Sequence, residues 1–254
     1  MIENSLKEAF RLIGRSRKEV AIYMAASLVC GGISVLMCKV LGIDYTASDS
    51  FQNMKTMPIK VLAASIPGGI ILAWFEAGLT GRVVFDAFKG ELGDMTRYAN
   101  GWFLRNLASE AIFKGISAIM VVAAFSGNKP AALIAGICLL AVTWLVFRVS
   151  LWLNASFVEN LGLFQAMKRS YAVSAGNLWR LIILIIAPAF AADILKRLIV
   201  KLLPGQTTLV YILKDLTHAL SSVVVIGALA AIYVALTATK TLAVPDAEKN
   251  NAAV

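Results

Sequence analysis

The chain has 254 residues, of which 59% are hydrophobic, and a formal net charge of +9 at pH 7. Its mean hydropathy of +0.77 excludes a soluble domain of ordinary composition, and several mostly apolar windows reach the roughly 18 residues that a bilayer crossing requires. Lys and Arg collect in the cytoplasmic loops of membrane proteins, so the positive charge does not indicate a nucleic-acid partner. The composition predicts a polytopic, all-α membrane protein.

The first predicted element is an amphipathic helix over residues 5–18. Its apolar side chains recur at helical spacing: Leu6, Ala9, Phe10 and Ile13. Such a helix is expected to lie in the membrane interface, with packing on a neighbouring element as the alternative.

Six spanning helices are predicted after it. They cover residues 20–41, 59–79, 102–125, 131–153, 178–192 and 218–236. Pro67-Gly68-Gly69 is expected to kink or loosen the second, and Pro188 to interrupt the hydrogen-bond ladder of the fifth. The charged residues after the fifth span predict a wet continuation, against which residues 209–216 are expected to pack.

A charged interlude over residues 82–100 separates the second and third spans. One predicted face of it is mostly apolar: Val84, Ala87, Phe88 and Met95. The opposite face is charged: Asp86, Lys89, Glu91 and Asp94.

The distribution of Lys and Arg predicts the orientation. Five precede the first span, and others follow the second and fourth spans, whereas the opposite loops hold only Lys55 and Lys129. Both termini of a multi-pass cell-membrane protein are therefore expected to be cytoplasmic. The connection between the fifth and sixth spans is an exception to this rule because it is also basic.

An internal repeat is predicted from three similar segments, 6–11, 84–89 and 163–168, whose alanines Ala9, Ala87 and Ala166 are 78 and 79 residues apart. We interpret them as three parallel copies of an interfacial helix plus a transmembrane hairpin, over about 4–81, 82–160 and 161–240. They would form one membrane domain, 1–244, followed by a polar C-terminal tail, 245–254. Chance similarity among amphipathic helices is the alternative.

One stretch, Phe157-Val-Glu-Asn-Leu-Gly-Leu-Phe-Gln-Ala-Met-Lys-Arg-Ser-Tyr with Gly-Asn-Leu-Trp-Arg ending at Arg180, resembles the membrane domain fused to some bacterial glycerophosphodiester phosphodiesterases, and its stand-alone six-helix relatives. Glu76-Ala-Gly-Leu-Thr-Gly-Arg, followed by Phe88-Lys-Gly-Glu-Leu, is similar to the stand-alone members. The resemblance implies a six-helix membrane architecture. It implies no phosphodiesterase activity, because the catalytic domain is not in this sequence.

Motifs of catalysis are missing from the sequence: it contains no HExxH, GxSxG, P-loop or dinucleotide-binding fingerprint. The single histidine, His218, is expected to be an interfacial polar residue. Cys30, Cys38 and Cys138 lie in apolar runs and are expected to be buried thiols. The sequence therefore predicts no enzyme, no metal and no cofactor.

Charged residues inside the predicted spans are the main candidate site. Glu76, Glu110, Lys114 and Arg148 are expected at similar depths, with Glu110 and Lys114 at the i, i+4 spacing of an ion pair. Arg148 would reach Glu76 from another helix. This cluster is interpreted either as the floor of a polar cavity or as salt bridges that fix helix packing.

Two further groups are predicted near the membrane surfaces. Asp193, Lys196 and Arg197 are expected to form a solvated helix end, with lipid phosphate binding as the alternative. Tryptophans at span ends are expected to be interfacial anchors: Trp102, Trp152 and Trp179.

Two functions are compatible with these patterns. The first is a non-enzymatic scaffold or accessory subunit that binds membrane lipids, a partner membrane protein or a second copy of itself. The alternative is a transporter or channel for a small solute or lipid that uses the intramembrane charges. A continuous polar cavity would favour transport, and a dry core with an exposed apolar flank would favour the scaffold.

Overall fold

The computed structural model describes residues 2–42, 58–90, 93–124, 129–203 and 207–242. These residues form nine helices and, within the described ranges, no strand. The helices are α1 (Ile2–Arg15), α2 (Arg17–Val40), α3 (Pro58–Lys89), α4 (Met95–Ala124), α5 (Lys129–Val149), α6 (Trp152–Glu159), α7 (Leu163–Val173), α8 (Leu178–Leu202) and α9 (Thr207–Leu242). The predicted all-α fold is confirmed, whereas the predicted tail lies outside the described residues.

Five stretches of the described chain are long and apolar enough to cross a membrane. They are Arg17–Val40, Ala63–Lys89, Ala132–Glu159, Leu178–Leu202 and Ile212–Thr237. This number is consistent with a multi-pass membrane protein. Helix α4, which covers the predicted third span, is not among the five, so a sixth span stays a prediction.

Several helices run further than predicted. Helix α3 passes through Pro67 and takes in the first half of the charged interlude, ending only where Gly90 adopts a left-handed conformation (φ 69°). Helix α8 passes through Pro188 and includes the charged residues that were expected to form a separate continuation. Helix α9 likewise begins at Thr207 and includes the segment expected to pack against that continuation.

The central helices are α3 and α9. In each, 56% of the most apolar stretch is buried, against 11–17% in the other three candidate spans. Helix α2 runs antiparallel to α3, since Glu19 pairs with Arg82 and Gly68 packs on the Cys30 carbonyl. Helix α2 also packs on α9, where Gly31 lies against the Asp215 carboxylate. The many exposed apolar side chains of the outer helices α5 and α8 form the surface expected of a lipid-facing helix.

The largest buried cluster lies at one end of this bundle, in a layer that we call the cap. The cap consists of α1, α6, α7 and the C-terminal ends of α3 and α9, on which they pack. Its core includes Leu12, Val84, Phe157, Val173 and Tyr233.

The buried face of α1 differs from the predicted one. Ser5, Ala9 and Leu12 are buried, whereas Phe10 is 60% exposed. The reason is the close crossing of α1 on α9 at Gly227, where an added Cβ would lie 3.2 Å from the Ala9 carbonyl oxygen. The small residues Ala9 and Gly227 therefore allow the two helices to approach closely, and Ile13 packs beside them.

The predicted faces of the interlude are wrong at two positions. Asp86, assigned to the charged face, is 2% exposed, and Phe88, assigned to the apolar face, is 48% exposed. The burial of Asp86 is compensated by its ion pair with Arg15 of α1. Because Arg15 lies outside residues 82–100, the pattern of that segment alone could not indicate this burial.

Candidate functional site

Two ion pairs, each with at least one buried side chain, join the cap to the bundle. The Arg15 guanidinium lies 3.0 Å from the Asp86 carboxylate, and the Arg82 guanidinium lies 3.6 Å from Glu19. Arg82 also donates to the Gly93 carbonyl oxygen at 2.9 Å. Sequence reasoning missed these pairs, although Arg82 and Asp86 at i, i+4 near the end of an apolar helix were an available signal.

A second polar group joins three cap helices. Glu159 of α6 accepts hydrogen bonds from Arg169 of α7 at 2.8 Å and from the Tyr233 hydroxyl of α9 at 2.6 Å. The hydrogen bond to Glu159 raises the pKa of the Arg169 guanidinium above its ordinary value, so this residue stays charged. These contacts hold helices together, and we assign them a structural role.

The candidate site is a cavity of about 500 Å³ between α3, α8 and α9, next to α6 of the cap. Its lining includes ionisable groups from three helices: Glu76, Asp193, Lys196 and His218. Uncharged polar side chains complete the polar lining: Thr80, Asn106, Ser150, Asn154, Ser221 and Ser222. These polar groups lie among helices that are apolar enough to span a membrane, where an unsolvated polar group is costly. The cavity therefore needs a polar occupant or water.

The residues of α8 and α9 that line the cavity recur at helical spacing. On α9 the lining positions are 218, 221, 222, 225, 226 and 229, and on α8 they are 185, 189, 192, 193 and 196. Each set lies on one face of its helix and extends over 11 residues, or about 16 Å. The cavity is thus about half as long as the roughly 30 Å hydrocarbon core of a bilayer.

Two amides behave differently in this lining. Asn106, 4% exposed, donates to the Ala73 carbonyl oxygen at 3.0 Å and so ties α4 to α3. Asn154, 2% exposed, has a buried side-chain oxygen without a hydrogen-bond partner among the described residues. An unpaired buried acceptor is costly, so a donor from an occupant of the cavity would stabilise this position.

The predicted charge cluster is only partly assembled at this cavity. Glu76 lines it, and Glu110 is half-buried on α4, whereas the side chain of Lys114 lies outside the described residues. The Arg148 guanidinium lies over two rings, 5.3 Å from Trp144 and 4.6 Å from Tyr171. The Arg148–Glu76 and Glu110–Lys114 pairs stay predictions.

The second predicted cluster is divided between the cavity and the surface. Asp193 and Lys196 line the cavity, whereas the largely exposed Arg197 pairs with Asp193 at 2.9 Å. Sequence reasoning missed Asp215, whose carboxylate packs on Gly31 and interacts electrostatically with Lys196. The i, i+3 spacing of Asp215 and His218 on one helix could have indicated this end of the cavity.

The three tryptophans predicted as anchors occupy different environments. Trp152 is 7% exposed and lines the cavity, so its side chain contacts protein. The Trp102 indole donates to Ser156 at 3.0 Å, and its ring lies 4.6 Å from that of Phe157. Trp179 is 75% exposed at the start of α8, and for this residue anchoring stays a prediction.

Comparisons of this chain with protein-family models, with curated proteins and with solved structures find no match. The resemblance to the phosphodiesterase-fused membrane domain therefore stays a prediction. Among the described residues, no group of three or more His, Cys, Asp or Glu is arranged to hold a metal ion.

Proposed function

We propose that this chain is an integral membrane protein that binds a small polar solute or a lipid head group in the cavity between α3, α8 and α9, and acts as a carrier for it. The observation that carries the proposal is the cavity of about 500 Å³ with Glu76, Asp193, Lys196 and His218 in its lining. Ionisable groups among spanning helices are costly, and in membrane proteins they mark ligand and ion pathways.

The buried oxygen of Asn154 supports the same proposal. It lines the end of the cavity near the cap, and within the described part of the chain it has no hydrogen-bond partner. A bound polar ligand would supply the missing donor, whereas a purely structural cavity would leave the amide at a cost of about 1–3 kcal/mol.

The test is native mass spectrometry of the protein extracted in mild detergent. We expect the wild-type particle to retain a non-protein ligand, because the cavity is polar and lies among lipid-facing helices. Ala189→Trp, which fills the cavity from an exposed position on α8, should release this ligand. The matched control Ala141→Trp, exposed on α5, should retain it. A wild-type particle without ligand, or equal retention in both variants, would contradict the proposal.

A second candidate function is the accessory subunit. It is supported by α5, whose apolar stretch is the least buried of the five candidate spans (11%). This helix carries large exposed apolar side chains along its length, Leu133 and Leu140 among them. A partner membrane protein would cover such a flank as well as lipid does. A stoichiometric protein partner in the same mass spectra would favour this function.

The finer architecture is also part of the proposal: six spans with α4 as the third, three repeats, and the cap on the cytoplasmic side with both termini. The cap end is rich in basic residues: Lys7, Arg11, Arg15, Arg17, Lys18, Arg82, Lys89, Lys168 and Arg169. In the first two proposed repeats an exposed phenylalanine stands directly before a basic residue, Phe10-Arg11 and Phe88-Lys89, and in the third Met167-Lys168 takes the equivalent position. Reporter fusions at the two termini test the sidedness.

A further inference from the structure

A second space lies along α8 and α9, beside the cavity. It is a groove of about 380 Å³ between α1, α8 and α9. Apart from Thr217 and Ser221 its lining is apolar, and it includes three side chains of α1, Ile2, Leu6 and Phe10. The groove therefore suits a hydrocarbon chain and offers little to a polar solute.

The groove and the cavity meet. Ala192 of α8 and Ser221 of α9 belong to the lining of both spaces. Both residues are buried and both are small, so the boundary between the polar and the apolar space is one thin layer of side chains. A ligand with a polar and an apolar part would fit the two spaces together at this boundary.

The length of the groove agrees with the length of a lipid acyl chain. The groove follows α8 from Ile183 to Leu195, which is 12 residues and therefore about 18 Å. One leaflet contributes about 15 Å to the hydrocarbon core of a bilayer. The groove thus has the length of one acyl chain in one leaflet.

The charged residues that line the cavity indicate the chemistry of the polar part of the ligand. Lys196 is the single Lys or Arg among the described residues of the cavity lining, and it lies one helical turn from Ala192. An ammonium group at this position favours a phosphate, which also agrees with the sequence-based alternative for this lysine. Glu76 and Asp193 place two carboxylates in the same lining, so the head group that fits carries a cation as well as the phosphate.

We propose that the ligand is a phospholipid, with its phosphate beside Lys196 in the cavity and one acyl chain in the groove between α1, α8 and α9. This inference rests on the proposed function, since it names the ligand class of the same cavity. It requires the lipid to cross the boundary at Ala192 and Ser221. Occupation of the two spaces is therefore coupled, and blocking one of them displaces the lipid from the other.

The experiment places the full-length protein in phosphatidylcholine vesicles that contain a trace of phosphatidylethanolamine with a photoactivatable acyl chain, because the ammonium group of phosphatidylethanolamine donates hydrogen bonds and that of phosphatidylcholine does not. Cross-linked residues are identified by mass spectrometry. Three alanines, all exposed, provide matched variants: Ala189→Trp in the cavity, Ala191→Trp in the groove and Ala141→Trp on α5. Melting temperatures in detergent establish which variants are folded.

In the wild type we expect about tenfold more cross-links to the groove than to the equally apolar outer face of α5, which corresponds to about 1.4 kcal/mol of preferential binding. Ala189→Trp, at a position that lines the cavity and not the groove, should lower the groove cross-links to the α5 level, and Ala141→Trp should leave them unchanged. If Ala189→Trp fails to fold, Ala191→Trp gives the reciprocal measurement, because it should release the ligand seen by native mass spectrometry.

Two results would overturn the inference. The first is that groove cross-links are no more frequent than those to α5. The groove would then hold only ordinary bilayer lipid, and the cavity would hold free phosphate or a similar small ligand. Groove cross-links that persist in Ala189→Trp, while the cavity ligand is lost, would mean that the two spaces have separate occupants. In that second case the proposed function stands and only the lipid assignment fails, whereas a ligand-free wild-type particle removes both.

Discussion

The Arg15–Asp86 pair predicts an unequal response to the loss of its two members. The Asp86 side chain is 0% exposed and the Arg15 side chain is 40% exposed. Among the described residues, Arg15 is the ion-pair partner of Asp86, and no other described group donates a hydrogen bond to that carboxylate. Removal of Arg15 therefore leaves a buried charge without its ion-pair partner. Removal of Asp86 leaves Arg15 able to turn its guanidinium toward solvent.

The magnitudes follow from this difference in burial. Breaking a buried pair costs about 3–5 kcal/mol when the remaining charge stays buried. Because Arg15 is partly exposed, we expect the lower end, about 3 kcal/mol, for Arg15→Ala. Asp86→Ala should cost about 1 kcal/mol, near the value of an exposed pair. The double variant should resemble Asp86→Ala, about 1 kcal/mol, and not the sum of about 4 kcal/mol.

The assay is reversible unfolding in mixed micelles of increasing SDS content, followed by circular dichroism for the wild type, both single variants and the double variant. Coincident transitions by tryptophan fluorescence establish that a single free energy of unfolding applies. If Asp86→Ala costs as much as Arg15→Ala, or if the two losses add, the reasoning from burial is refuted.

Three other perturbations test separate parts of the structure. Tyr233→Phe removes a buried 2.6 Å hydrogen bond to the Glu159 carboxylate and should lower the free energy of unfolding by about 1.5–3 kcal/mol in the same assay. Gly227→Leu forces a side chain into the contact with Ala9 of α1 and should cost about 1–3 kcal/mol, with faster proteolysis of α1 as the second readout. Lys196→Met should lower the retention of phospholipid about tenfold in native mass spectra, since it removes the cation that faces the phosphate.

Each of these three variants has a matched control variant. Tyr171→Phe removes a hydroxyl from a partly exposed ring on α7 and should change stability by less than about 0.5 kcal/mol. An added Cβ at Gly136 meets no atom within 4 Å, so Gly136→Leu should be tolerated. Lys201→Met removes an exposed positive charge from the same helix as Lys196 but outside the cavity lining, so lipid retention should not change. If a test variant and its control have equal effects, the contribution that we assign to the respective contact is contradicted.

Those parts of the fold that depend on local sequence were predictable. Long apolar runs and the absence of strand signals predicted the all-α class, because a bilayer crossing needs about 20 apolar residues whatever they pack against. The end of the interlude helix was also encoded locally, in Gly90, which takes the left-handed conformation that other residues avoid. The predicted charges Glu76, Asp193 and Lys196 do line the cavity.

The orientation of helix faces was less predictable, because it depends on partners distant in sequence. The burial of Asp86 requires Arg15, 71 residues earlier in the chain. The exposure of Phe10 follows from the fit of Ala9 on Gly227 at the other end of the protein. In lipid, moreover, apolar side chains face outward and polar ones inward, so the usual rule for soluble helices indicates the wrong face.

The central claim is that α3, α8 and α9 enclose a polar, water-accessible space among membrane-spanning helices. It is tested most directly by two cysteine variants, Ser222→Cys in the cavity and Leu220→Cys in the groove, after replacement of the three free cysteines Cys30, Cys38 and Cys138. In lipid vesicles a charged, water-soluble thiol reagent should modify Ser222→Cys and leave Leu220→Cys unmodified. This order is the reverse of that expected without a membrane, since Leu220 is 49% exposed and Ser222 is half-buried. Preferential modification of Leu220→Cys would contradict the account.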